Sequence, residues 1–259
     1  MQKEFEKFKD ATLFEGMTSI RAILAARMGE NPQNDRTISA IYYSAESERK
    51  LTRELSWLRH RGREMGFPVL PKAAEEISAM TTGSTHGGIV AECSSRTIPA
   101  LSPTTSLAER GFYVMLEGIE DPYNFGYALR SLCALGVSGV VLSARNWMSA
   151  AGVVARASAG ASELLPIYSA EPTAAAAIFK AAGYRVVCAD TRTELMLPDA
   201  DLHFPIFLIV GGEKRGISRS LLDECDLAVK IPYGREFNAS LSAASAATIL
   251  GYEIARQNQ

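Results

Sequence analysis

"FYVMLEGIEDPYNFGYALRSLCALGVSGVVLS", residues 112–143, reads as strand, turn, helix and strand. Residues 112–118 form a continuous apolar run, as in a strand buried on both faces. Asp121 and Pro122, followed by Asn124 and Gly126, make a turn that opens a helix. That helix is predicted over 124–135, and 138–143 return to a strand. A strand, a crossover helix and a second strand imply parallel pairing in a sheet covered by helices. In such sheets ligands bind beyond the carboxyl ends of the strands, where this turn lies. One residue breaks the apolar helix. Arg130, set among Leu129, Leu132 and Cys133, occupies a place that Leu or Ala could fill.

The alternation continues in both directions. Downstream, strands are predicted at 164–169, 184–190, 204–213 and 227–232, with helices at 148–161, 172–183, 218–225 and 240–257. Upstream, helices are predicted at 19–29, 47–66 and 72–80, and strands at 37–44, 67–71 and 87–93. Between the halves, "SSRTIPALSPTTS" (94–106) has Ser, Thr and Pro and no sustained period. We therefore expect an N-terminal domain over 1–100 and a C-terminal domain over 107–259. No internal repeat occurs.

The 259 residues are 47% hydrophobic and 22% charged, with net charge −2. This is the composition of a globular protein without a global basic field, so any nucleic-acid binding needs a local patch. Residues 49–63, "RKLTRELSWLRHRGR", supply one. They carry Arg49, Lys50, Arg53, Arg59, Arg61 and Arg63 against the single acid Glu54. These are candidate phosphate contacts, and Trp57 reads as core. Cys93, Cys133, Cys188 and Cys225 lie far apart with no C-x-x-C pair, as expected of free thiols in a reducing compartment. The three histidines are equally scattered, so no metal site is expected. No secretory leader and no membrane span are read, and the expected location is the cytoplasm.

Three segments could carry chemistry, and each has a plain alternative. "DPYNFGYALR" (121–130) offers an anion-binding arginine, or a surface arginine beside a helix N-terminus. "VGGEKRG" (210–216) lets backbone approach a ligand closely at a strand end, with Glu213 to orient a hydroxyl or a cation, or is an ordinary strand-to-helix turn. Its spacing fits neither a dinucleotide fingerprint nor a P-loop. "IPYGREFNASLSAASAATILGYE" (231–253) runs from a strand end through a polar loop into a Ser/Ala-rich helix, suited to a flat ligand or to tight helix packing.

Taken together and in this order, D-P-x-N-x-G-x-x-x-R, G-G-E…G-I and I-P…S-L…Y-E resemble the SpoU-type (TrmH-like) RNA ribose methyltransferases of the SPOUT superfamily. "ARASAGASELLPIY" (155–168) is similar to that family's middle segment. "THGGIVAEC" (85–93) closes a region resembling its accessory RNA-binding domain. The likeness covers roughly 12–257. It implies an α/β fold whose C-terminal parallel sheet contains a deep trefoil knot. A smaller α/β domain like RNA-binding ribosomal proteins would precede it.

The resemblance implies S-adenosyl-L-methionine as cofactor, held near Gly211, Gly212, Ile231 and Leu241. It implies a ribose 2′-hydroxyl in structured RNA as substrate, with ribosomal RNA ahead of transfer RNA. The implied catalytic set is Arg130, Asn124, Glu213 and Ser242, with Arg130 on the phosphate beside the target ribose. It also implies a homodimer through the C-terminal domain. RNA would meet Arg49, Arg53, Arg59, Arg61 and Arg63. One departure stands out: after S-L the family has Asn and then, two positions on, a hydroxyl residue, whereas this chain has Ser242 and Ala244. The competing reading is a knotted RNA-binding or ribosome-assembly protein without turnover.

Overall fold

The computed structural model describes residues 13–31, 33–83, 86–143, 150–212 and 216–259. They form two compact units. The first comprises the described parts of Met1–Thr97 and Trp147–Leu164, the second those of Ile98–Asn146 and Leu165–Gln259.

The first unit holds β1 (Leu13–Glu15), α1 (Gly16–Ala25), β2 (Ile38–Ser44), α2 (Thr52–Met65), β3 (Val69–Lys72), α3 (Ala74–Met80) and β4 (Ile89–Cys93). Its sheet runs β1-β4-β2-β3 and is mixed. β4 is antiparallel to both neighbours, while β2 and β3 are parallel. Helices α1 and α2 begin within a turn or two of the predicted starts. Gly66, left-handed at φ 83°, stops α2 as a C-cap should. Ile20, Ile23 and Leu24 of α1 and Leu55 and Leu58 of α2 bury at helical spacing against Ile41, Ile89 and Ala91 of the sheet.

Two short helices from later in the chain complete this unit, α5 (Ala151–Ala157) and α6 (Ala161–Leu164). A single break near residue 100 therefore does not describe the division. The chain leaves the second unit after its second strand, adds a piece to the first, and returns. The predicted helix over 148–161 is interrupted at Ala159 and Gly160, both with positive φ. A Cβ on Gly160 would lie 2.5 Å from the Ala22 Cβ, so only glycine lets this turn sit against α1. Residues 148 and 149 lie outside the described ones.

Electrostatics explains why 150–164 sits where it does. Glu163 is completely buried, and Arg36 Nε approaches its Oε2 at 2.9 Å with both side chains out of solvent. Asn34 Nδ2 donates to the same carboxylate at 2.8 Å and to the Glu163 carbonyl at 2.9 Å. Arg36 also donates to the Ser94 carbonyl at 2.6 Å, and its guanidinium lies 4.5 Å from the Phe14 ring centroid. Arg96 donates to the Ser162 carbonyl at 2.7 Å. A carboxylate this deep is tolerable only when paired and hydrogen-bonded, and Arg36 and Asn34 of the first unit supply that pairing.

The second unit holds β5 (Phe112–Glu117), α4 (Pro122–Ala134), β6 (Gly139–Leu142), β7 (Ile167–Ser169), α7 (Pro172–Ala181), β8 (Arg185–Ala189), β9 (Ile206–Gly211), α8 (Arg219–Asp223), β10 (Leu227–Val229) and α9 (Ala243–Gln257). The sheet order is β10-β8-β9-β5-β6-β7, and every pairing is parallel. The α/β class with a parallel sheet is thus as expected. Alternate residues face opposite layers. Tyr113, Met115, Phe207 and Ile209 pack with Ala175, Ala176 and Phe179 of α7 and Leu221 of α8. On the other side Phe112 lies under Gly251 of α9, which packs on Leu132 of α4. Because all strands run one way, their carboxyl ends form a single edge.

Candidate functional site

That edge gathers the turns singled out in the sequence. β5 ends at Glu117, and Gly118 takes φ +67° to turn the chain. Asp121 caps α4 by accepting the Tyr123 N–H at 3.0 Å, and Pro122 fills the first turn, where no donor is missed. Phe125, Ala128, Leu129 and Leu132 bury one side of α4, which leaves Tyr127 and Arg130 on its exposed side. Arg130 has no ion pair among the described residues. Asn124 is half-buried in the first turn.

β9 ends beside β5, with Gly211 in register with Glu117. A Cβ on Gly212 would collide with the carbonyl oxygen of Gly118, so the two strand ends meet backbone to backbone. The Gly216 N–H donates to the Gly212 carbonyl at 2.9 Å and closes the turn. Glu213 lies in that turn, outside the described residues.

Beyond β10, Ile231 and Leu241 are each half-buried and bracket a loop, 232–240, every residue of which is exposed. The Leu241 N–H donates to the Tyr233 hydroxyl oxygen at 3.3 Å. Ser242 is the N-cap of α9: its Oγ accepts the Ser245 N–H at 3.2 Å and donates to the Ser245 hydroxyl at 3.0 Å. Ala243, Ala244 and Ala247 bury behind it, so Ala244 is core. The loop read as polar also presents Tyr233 and Phe237, whose ring centroids are 6.2 Å apart.

Two groups at this edge went unread in the sequence. Glu117 Oε2 is buried with no hydrogen-bond partner, and burial raises the pKa of its carboxyl against a lowering bond from Ser143. The available signal was an acid terminating an otherwise apolar strand. Just after β8, Asp190 accepts three bonds at 3.0 Å from Arg192, two from its guanidinium and one from its backbone N–H, and that bonding lowers its pKa. A D-x-R turn after an apolar strand was its signal.

The basic stretch lies on the first unit. Arg53, Ser56, His60 and Arg63 recur at i, i+3, i+7 and i+10, all exposed on one face of α2, and Arg49 is exposed just before it. Arg59 and Arg61 differ from the expectation of free phosphate contacts. Arg59 donates to Glu48 and to the Tyr43 hydroxyl, both at 3.0 Å. Arg61 pairs with Glu64 at 2.7 Å and lies over the Trp57 ring, which Arg21 also approaches. The helical period could not single out Arg59, whose acid Glu48 lies outside the helix, whereas the i, i+3 spacing of Arg61 and Glu64 was legible in the sequence. Trp57 is partly buried against the core, as read. Among the described residues no His/Cys/Asp/Glu group is placed to hold a metal, and no helix is long and apolar enough to cross a membrane.

Comparison with known proteins bears on this edge. The sequence profile of the SpoU rRNA Methylase family matches residues 111–252. A Mycobacterium ulcerans protein, an uncharacterized tRNA/rRNA methyltransferase, is 32% identical over 232 residues, covering 85% of this chain and 72% of its own. The AdoMet-bound rRNA methyltransferase from Sinorhizobium meliloti superposes with a TM-score of 0.77 at 22% identity, over 97% of this chain and 93% of its own. The SpoU methyltransferase AviRb from Streptomyces viridochromogenes, in complex with AdoMet, gives 0.75 at 21% identity over 98% and 97%. These two likenesses speak for the fold.

Proposed function

The chain belongs to the SpoU rRNA methylase family, and from that premise we propose that it methylates a ribose 2′-hydroxyl in structured RNA with S-adenosylmethionine. Ribosomal RNA is the preferred substrate over transfer RNA. One observation carries the reading. The glycine turn after β9 and the capped start of α4 with its unpaired Arg130 lie at one edge of one parallel sheet.

The residues present fit the cofactor. Gly211 and Gly212 let the ends of β9 and β5 and the turn at Gly216 close backbone to backbone at this edge, and Ile231 and Leu241 keep apolar surface that the core has not consumed. When bound, S-adenosylmethionine supplies an electrophilic methyl on a sulfonium. This chain's work is alignment and charge. Arg130 holds the phosphate next to the target ribose with a fork of donors that stays ionised. Asn124 and Glu213 orient the ribose, and Ser242 stands where a further polar contact is needed. Holding the 2′-oxygen in line with the methyl group supplies much of the rate by itself.

The first unit is the RNA-binding domain, with the Arg49, Arg53 and Arg63 face as its phosphate contact. The second unit carries the trefoil knot. The placement of β9 between β5 and β8, strands laid down before it, supports that path. The protein is a cytoplasmic homodimer through α4 and α9. Their packed pair exposes Tyr127, Ile249 and Tyr252 at 49%, 38% and 59%, apolar surface that a second copy would cover.

Calorimetric titration with S-adenosylmethionine, with NAD as control, tests the cofactor; transfer of radiolabelled methyl to ribosomal RNA tests the reaction. Micromolar binding of S-adenosylmethionine alone, followed by label on RNA, is expected. A second reading has its own observation: the Ser242 hydroxyl is spent on capping α9, and Ala244 is buried. Cofactor binding without transfer to any RNA would select an RNA-binding protein without turnover.

A further inference from the structure

We propose that the exposed loop 232–240 carries a stacking site for one unpaired nucleobase of the RNA substrate, with Phe237 as the platform. The proposal rests on the RNA-methylation reading and adds a contact that reads single-stranded RNA beside the reacting ribose. Phe237 is 56% exposed and Tyr233 39%, in a loop with no buried residue at all. Leaving a phenyl ring in water forgoes its burial energy, and this chain does so immediately between two half-buried positions, Ile231 and Leu241.

The geometry selects the mode. Parallel rings that sandwich a base stand about 7 Å apart, twice the ordinary stacking distance. Here the centroids are 6.2 Å apart and the planes are inclined by 52°, so nothing fits between them. Tyr233 is tied back through its hydroxyl to the Leu241 N–H. It stands beside Phe237, more than half of whose surface stays open to solvent. Arg235, exposed and midway between the two aromatics in the sequence, supplies a cation for the adjoining phosphate. An aromatic platform with a cation beside it is the recurrent design for holding unpaired bases without regard to sequence.

The test uses the full chain and a short RNA hairpin carrying 2-aminopurine in its loop, with the fully paired duplex of the same stem as control. Wild-type protein is expected to quench the 2-aminopurine and to prefer the hairpin. Phe237→Ala should abolish the quench and weaken hairpin binding about tenfold while leaving duplex binding and thermal unfolding unchanged. Phe237→Trp should restore both. Phe237→Leu, which keeps apolar bulk without a π face, should not. An absent quench in the wild type, an unaltered hairpin affinity in Phe237→Ala, or full rescue by Phe237→Leu would overturn the site. So would a fall in oligomeric state by light scattering in Phe237→Ala, which would make the loop a protein contact. Calorimetry with S-adenosylmethionine on the same preparations separates the two readings. Quenching without cofactor binding removes the methyl-transfer reading, and cofactor binding without quenching removes the stacking site.

Discussion

Arg130 stands on the exposed side of a helix whose other side is fully committed to the core. Its removal should therefore spare folding, and on the proposed role it takes away the phosphate contact. Arg130→Ala should lower methyl transfer roughly a hundredfold, the worth of a charge-assisted contact. Cofactor affinity should stay within a few-fold and thermal unfolding should be unchanged; loss of cofactor binding by calorimetry would refute the assignment. Arg36 is the opposite case. It is buried and faces buried Glu163 at 2.9 Å. Either Arg36→Ala or Glu163→Ala leaves the other charge unpaired and should cost about 3–5 kcal/mol in urea unfolding. The double variant should cost less than the sum of the two, because their losses are the same interaction counted twice. The sequence marked Arg130, since a charge in an apolar helix shows in one dimension. It did not mark Arg36, whose partner lies 127 positions away.

At the scale of the element, β5 ends in a carboxyl that the fold prefers neutral. Burial raises the pKa of Glu117 above its ordinary 4.5, so between the ordinary and the raised value the folded chain binds a proton that the unfolded chain has released. Stability from this group is present below pH 4.5 and declines as pH rises through the raised value. Glu117→Gln should flatten that decline and raise the midpoint of thermal unfolding at neutral pH. A steeper decline in the variant, measured by thermal melts across the range, would show that the charged form is the one the fold holds. Capped, apolar-faced helices such as α4 and α9 were legible because caps and periodicity are local. The interruption of 148–161 was not: small residues look helical, and the break at Ala159 and Gly160 exists to fit against α1.

At the scale of the whole molecule, net charge −2 hides a basic face. Neutralising Arg49, Arg53 and Arg63 should weaken RNA binding and reduce the slope of log K against log salt by about 2. Neutralising Arg59 and Arg61 should leave that slope nearly unchanged, since their charge is already answered by Glu48 and Glu64. Equal effects from the two sets would move the RNA site off this face. The sequence by itself determined the α/β class, the parallel pairing of the second unit and the motif turns at its edge, because hydrophobic period, caps and glycines act over a few residues. Only the tertiary structure decided that 150–164 belongs with the first unit, that Arg59 is paired with Glu48, and that Phe237 stands in water. Those outcomes depend on partners distant in the chain, and a buried charge or an exposed ring acquires its energy only from what surrounds it.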